Sequence, residues 1–369
     1  MRTSRLALIP VAAIAFAAPL SACATDQSTT VDSQEVAAEA EASPEVPVEE
    51  TADASPTPDA VPVQIVATTT VLGSVAAQIA TCANPESTVS TLMPIGADPH
   101  DFAASSAQVA EMVTADVVIA NGLGLESGLK DALENVTADG GVVIEIADRV
   151  DPLPFGEHGG DHAHGDEAKD DHSHSEDDHA HSEEKTDDHG HDHGSEDPHF
   201  WLDMNRMADA AQIIGDELAA NGGPAYADCG AQVADEIRAA EAEVRALLEA
   251  VPADKRVLVT DHEALGYLAD AYGYEIAGTV IPAGTTLAEP SSADLAELVE
   301  VMRAEGVQVV FANTANPTAL AEAVAGEVGG DVQVVSLFVE SVGEPGSGAE
   351  DYISMMRTNA ELISSNLMS

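Results

Sequence analysis

A chain of 369 residues suits about two domains of ordinary size, and a hydrophobic fraction of 45% is enough to bury sizeable cores. The 66 Asp and Glu against 13 Lys and Arg leave a formal charge of −53, which repels a phosphate backbone over nearly the whole surface. Aromatics at 3% supply no base-stacking platform, so nucleic acid is excluded as a partner while divalent cations are not.

The first residues read as an export signal. Arg2 and Arg5 form a positive start, and residues 6–20 are almost wholly apolar, the size of a signal core rather than a membrane span. Leu20-Ser21-Ala22-Cys23 resembles a bacterial lipobox, in which the Cys is acylated and becomes the first residue of the mature chain. Residues 1–23 are therefore expected to be a lipoprotein signal, with Cys23 anchoring the protein to the outer face of the cell membrane. A plain secretory signal with an incidental Cys is the alternative. Residues 24–60 hold ten acidic residues and no Lys or Arg. Such a stretch buries too little apolar surface to offset its ordering entropy and is expected to be a disordered tether.

From residue 61 strand-length apolar runs alternate with Ala-rich helical stretches. Strands are expected at 63–68, 88–93, 117–120 and 142–144, with helices at 71–81, from 105 and at 125–135. Helices follow at 204–220 and 224–250, the second long enough to run the height of a domain. A second set begins with strands at 256–259, 275–280, 309–312 and 332–337, and helices from 263, 291, 317 and 349. Alternation of this kind, with nearly continuous apolar strands, predicts parallel sheets covered on both faces. The expected architecture is α/β. Two Rossmann-like lobes, 61–222 and 253–369, are joined by one long helix within 223–252. Cys82 and Cys229 remain once Cys23 is assigned to lipid. An oxidising compartment permits them to bridge, but their distance apart is not set by sequence.

The histidines are placed unevenly. Of 13, ten lie within a low-complexity insertion (157–196): His158, His162, His164, His172, His174, His179, His181, His189, His191 and His193, with 13 acidic residues between the first and the last of them. The insertion has no apolar face to fold around, and imidazoles beside carboxylates make a high-capacity trap for zinc or a similar ion. A solvated insertion with no role is the bland alternative. The other three are His100 in Ala97-Asp98-Pro99-His100-Asp101-Phe102, His199 in Asp197-Pro198-His199-Phe200-Trp201, and His262 in Thr260-Asp261-His262-Glu263. Each is expected just after a strand. Ligands of open α/β sheets bind outside the carboxyl ends of strands, so all three are expected to face one cleft.

The segments ADPHDF, DPHFWLD, TDHEALGYLADAYG and LFVESVG…YISMMRTN resemble the signatures of the zinc and manganese solute-binding proteins of bacterial ABC transporters, the cluster A-I or cluster 9 group. The resemblance runs from about residue 63 to 367. It implies two α/β lobes, a long backbone helix and one metal ion held between the lobes. By motif the ligands fall on His100, His199 and His262, with Glu340 standing where relatives usually place Asp. Asn313-Thr314 also departs from a frequent Glu-Thr, at a place that puts no ligand in doubt. Manganese members carry a carboxylate where His262 stands here.

Three imidazoles and one carboxylate suit zinc, with manganese the alternative. The resemblance implies delivery of the captured metal, here zinc, to an ABC permease, and the protein is expected to be a monomer. Each imidazole must be neutral to bind, so affinity should fall as pH drops through about 6. Asp98, Asp101 and Asp261 are nearby candidates to hold the rings. Two other readings use the same residues. A hydrolase or lyase would keep an activated water on three His with Glu263 as base, and a closed four-ligand site would end that reading. A surface metal buffer or adhesin would share the anchor and the tether without transport.

Overall fold

The computed structural model describes residues 60–156 and 196–369. The signal, Cys23, the acidic stretch up to residue 59 and the ten clustered histidines lie outside the described residues. The strand-length apolar runs form two four-stranded sheets. The first, ordered β2-β1-β3-β4, comprises β1 (Gln64–Ala67), β2 (Thr88–Thr91), β3 (Val117–Ala120) and β4 (Val143–Glu145). Every pairing in it is parallel, so the chain must cross over between strands. Helices α1 (Thr70–Ala83), α2 (Ser106–Thr114) and α3 (Lys130–Ala138) make the crossings. Next come α4 (Met204–Gly222) and α5 (Ala225–Glu249), the long helix linking the two halves.

The second sheet, ordered β6-β5-β7-β8, repeats the plan with β5 (Val257–Thr260), β6 (Glu275–Thr279), β7 (Val309–Asn313) and β8 (Gln333–Leu337), again all parallel. Its crossings are α6 (Gly266–Tyr272), α7 (Ser292–Glu305) and α8 (Ala319–Val328), and α9 (Tyr352–Leu367) follows the last strand. The fold class read from the sequence therefore holds. Among the described residues no helix is long and apolar enough to cross a membrane.

The apolar strands divide their side chains between two cores, because successive residues point to opposite faces. Ile65 and Ala67 of β1, Val117 and Ile119 of β3, and Leu258 and Phe311 of β5 and β7 join one cluster that also contains α4, α5 and α9 side chains. Val66 and Val118 instead meet Met112, Leu133 and Val136 beneath α2 and α3. Val259, Val310 and Ala312 meet Leu298 and Met302 beneath α7. Both halves thus share one central core, with an outer core each. The strand ends are held against one another by packing and not by a tether alone.

α5 is 25 residues long, roughly 37 Å at 1.5 Å per residue. Its buried stripe includes Tyr226, Val233, Ile237, Val244 and Leu248. α4 lies against it backbone to backbone, since a Cβ on Gly215 would stand 2.7 Å from the Gly230 Cα. Cys82 of α1 is bridged to Cys229 of α5, with Cα atoms 5.9 Å apart.

Several boundaries differ from those read in the sequence, and each has a local cause. The helix expected from 263 starts at Gly266. The Glu263 N–H donates to the Ala283 carbonyl, and the His262 carbonyl accepts from Ala264 N–H and Thr260 Oγ1, so residues 262–265 form a turn. The helix expected at 125–135 begins at Lys130, because residues 122–124 all take positive φ and a short 3₁₀ turn at Ser127–Leu129 intervenes. The last helix starts at Tyr352 instead of 349, where Asp351 caps it. His199 does not follow a sheet strand. It follows a single antiparallel bridge between Glu196 and Pro154.

Candidate metal centre

His100, His199 and His262 each sit in a turn built by the aspartate just ahead of it. Asp98 Oδ1 accepts from the His100 N–H at 2.9 Å, Asp197 Oδ1 from His199 at 2.9 Å, and Asp261 Oδ1 from His262 at 2.9 Å. Asp197 Oδ1 also lies 2.7 Å from His199 Nδ1, and Asp261 Oδ1 lies 3.1 Å from His262 Nδ1. A ring that donates through Nδ1 keeps the lone pair on Nε2, so these two aspartates select the tautomer that points a donor atom inward. One local device therefore fixes both the backbone and the ring.

The tertiary fold brings the three rings together. Ring centroids lie 5.4 Å apart for His100 and His199, 5.5 Å for His100 and His262, and 5.3 Å for His199 and His262. Glu340, just past β8, completes the group. Its Oε1 is 3.0 Å from His100 Nε2 and 3.3 Å from His262 Nε2. One nitrogen or oxygen from each of the four lies within 4.8 Å of all the others. The four residues are between 0% and 4% exposed, which withdraws them from bulk solvent. His262 Nε2 and Glu340 Oε1 are buried without a hydrogen bond. With the ring neutral, polar atoms left so in such a place are costly; a proton on His262 shared with Glu340, or a cation among the four donor atoms, satisfies them.

The electrostatics agree. Burial alone would lower the basicity of His262, but its contacts with Asp261 and Glu340 overcome this and push its pKa up to about 10 in the metal-free protein. Burial acts to raise Glu340, yet His100 and His262 hold it well below the usual carboxylate range. Burial lowers His199, outweighing the pull of Asp197. Asp98 is raised, first by burial and then by the charge of Glu340. The His262 imidazole therefore holds a proton with which a divalent ion at this place would compete.

Hydrogen bonds from both halves hold the site closed. Thr286 Oγ1 donates to Asp98 Oδ2 at 2.6 Å, Gly96 N–H to Ser341 Oγ at 2.8 Å, and Trp201 Nε1 to the Val339 carbonyl at 2.7 Å. A cleft lined by Gly122, Leu123, Glu126, Pro198 and Thr285 opens beside His100. Phe155, just ahead of the histidine-rich insertion, also lines it.

Sequence reasoning missed five supporting residues. Asp197 had a visible signal, since Asp98-Pro99-His100 and Asp197-Pro198-His199 repeat the same Asp-Pro-His. Glu126 is buried and accepts from Thr68 Oγ1, Asn121 N–H and Gly122 N–H, and burial raises its pKa. Asn121 Nδ2 then donates to the Pro198 carbonyl at 3.0 Å, and Ser127 Oγ to the His100 carbonyl at 3.3 Å. Asn313 Nδ2 donates to Glu340 Oε2. Of the three aspartates named from sequence, Asp98 and Asp261 support the site, whereas Asp101 is exposed.

The family model of the zinc-uptake complex component A periplasmic proteins (ZnuA) matches residues 65–366. The manganese-binding lipoprotein MntA of Halalkalibacterium halodurans is 26% identical over 307 residues, 82% of this chain and 88% of that protein. The zinc-binding lipoprotein AdcA of Streptococcus pneumoniae is 26% identical over 277 residues, 74% of this chain and 50% of its own. Among solved structures, the periplasmic zinc-binding protein TroA of Treponema pallidum superposes with a TM-score of 0.66 at 22% identity, covering 83% of this chain and 99% of its own. The match of the family model over most of the chain places it in the ZnuA family, as a metal-binding, non-enzymatic solute-binding protein of an ABC transporter.

Proposed function

We propose that this protein captures zinc outside the cytoplasm, through His100, His199, His262 and Glu340, and delivers it to its permease. The observation that carries this reading is the convergence of four buried donor atoms, two of them without a hydrogen-bond partner. Three imidazoles and one carboxylate oxygen make a borderline donor set of four, which suits tetrahedral zinc at about 2.0–2.2 Å. Manganese gains less from imidazole and prefers more oxygen. The names of relatives divide between zinc and manganese, so the donor chemistry is what favours zinc. Manganese is the second reading, and similarity to a manganese-binding lipoprotein supports it.

The histidine-rich insertion, His158 to His193, serves in this reading as an accessory store that raises zinc at the cleft mouth. The position of Phe155 in the cleft lining supports that role. Cys23 carries the lipid that holds the protein, a monomer, at the membrane near the permease. Relatives named as lipoproteins support this. Release requires breaking cross-lobe contacts such as Thr286 to Asp98, with small movements about α5 instead of a wide hinge.

Elemental analysis combined with zinc–manganese competition tests the proposal. One tightly held zinc per chain, lost in His199→Ala while weaker multiple binding survives, is the expected result. Unchanged tight affinity in His199→Ala would reject the ligand assignment, and preferential retention of manganese would reject zinc.

A further inference from the structure

Asn313 closes β7 and is fully buried, and three hydrogen bonds set its orientation. Its N–H donates to Asp261 Oδ2 at 3.0 Å. Its Oδ1 accepts from the Ala315 N–H at 3.1 Å. A backbone N–H has no lone pair, so the amide atom facing it must be the oxygen, and the amide nitrogen is turned the other way. There it donates to Glu340 Oε2. The two oxygens of Glu340 are thereby made unlike. Oε2 is engaged by Asn313, while Oε1 faces His100 and His262 with no hydrogen bond.

We infer that Asn313 is a specificity-determining residue, which holds Glu340 to a single ligating oxygen and so limits the centre to four donors. The inference rests on the metal-capture reading above and deepens it. Glu340 could chelate an ion through both oxygens only by giving up the Asn313 hydrogen bond. A carboxylate restricted in this way supplies one oxygen, which with three imidazole nitrogens completes the tetrahedral set zinc takes. An ion that prefers more oxygen donors, manganese above all, finds the fifth and sixth positions unserved. Asp261 makes the restraint stiff, because one carboxylate holds the His262 ring through Oδ1 and the Asn313 peptide through Oδ2. The third and fourth ligands are therefore positioned from a common anchor.

Cobalt(II) absorption separates four-coordinate from higher-coordinate sites and is read with one equivalent of cobalt on the full chain, His199→Ala serving as the blank. The wild type should show the intense visible bands of a four-coordinate ion. Asn313→Ala frees Oε2, and Asn313→Asp keeps the acceptor for Ala315 while removing the donor. Both should weaken the bands toward a higher coordination number, and the zinc-to-manganese affinity ratio should fall about tenfold or more, the usual scale for loss of an outer hydrogen-bond partner. A higher-coordinate spectrum in the wild type overturns the inference even if neither variant folds. An unchanged spectrum and ratio in a folded variant overturns it as well. Failure of the wild type to hold one zinc through His199 would instead overturn the underlying metal-capture reading.

Discussion

Zinc entering this centre near neutral pH should expel the proton held by His262. In the metal-free protein Asp261 and Glu340 overcome the effect of burial and bring this imidazole to a pKa of about 10. Glu340 is already ionised, and burial keeps His199 neutral. Binding at pH 7 therefore requires removing a proton held three pH units above its surroundings, about 4 kcal/mol at 1.36 kcal/mol per unit. The apparent zinc affinity at pH 7 should stand about a thousandfold below its limit above pH 10, rising about tenfold per pH unit in between. An ordinary imidazole would confine the loss to pH values below about 6.5, so the pH at which affinity begins to fall separates this expectation from the one drawn from the sequence alone, a fall through about 6. Calorimetry of the first zinc equivalent, in two buffers of different ionisation enthalpy at pH 7.5, counts the protons released. Asp261→Asn should reduce that count. Release of no proton by the wild type, together with a flat affinity between pH 7 and 9, would refute the reasoning.

The same linkage acts on stability. The folded-state pKa of His262 is raised above its unfolded value, so its contribution is fully present below about pH 6.5 and is lost as pH rises through about 10. Melting of the metal-free protein should weaken over that window, and a rise in melting temperature there would contradict it. Deleting residues 158–193 should lower the number of ions bound while leaving the tight site, and loss of the tight site would mean that the insertion supplies a ligand. Gly230→Ala would place a Cβ 2.8 Å from the Gly215 Cα, forcing α4 and α5 apart at a cost of about 1–3 kcal/mol. Denaturant unfolding checks this, and unchanged stability would show that the helices have room. Cys229→Ser opens a bridge spanning 147 residues, worth about 5 kcal/mol as an upper figure from chain entropy. It should lower the denaturation midpoint without changing the zinc affinity.

The fold was legible because its cause is repetitive. The central strands β3, β5 and β7 are nearly continuous apolar runs, the long helices α1, α4, α5 and α9 carry buried stripes, and two rounds of that alternation leave few arrangements for a parallel sheet. Boundaries were less legible where side chains capture the backbone. Residues 262–265 have helical composition, yet bonds to Ala283 and Thr260 turn them away from a helix. His100, His199 and His262 stood out because the remaining ten histidines fall in one insertion. Glu340 was reached only through its motif, since one carboxylate among 66 acidic residues carries no local mark.

By itself the sequence determined the α/β architecture in two halves, the strongly acidic character, and three histidines preceded by aspartates that shape their turns. These depend on interactions between near neighbours or on patterns that recur. The tertiary structure alone decided that the Glu340 carboxylate meets those rings, that Asn313 takes one of its oxygens, that Glu126 lies buried, and that His262 becomes strongly basic. Burial and proximity of residues far apart in the chain arise from how the sheets pack around α5, and no short stretch of residues encodes them.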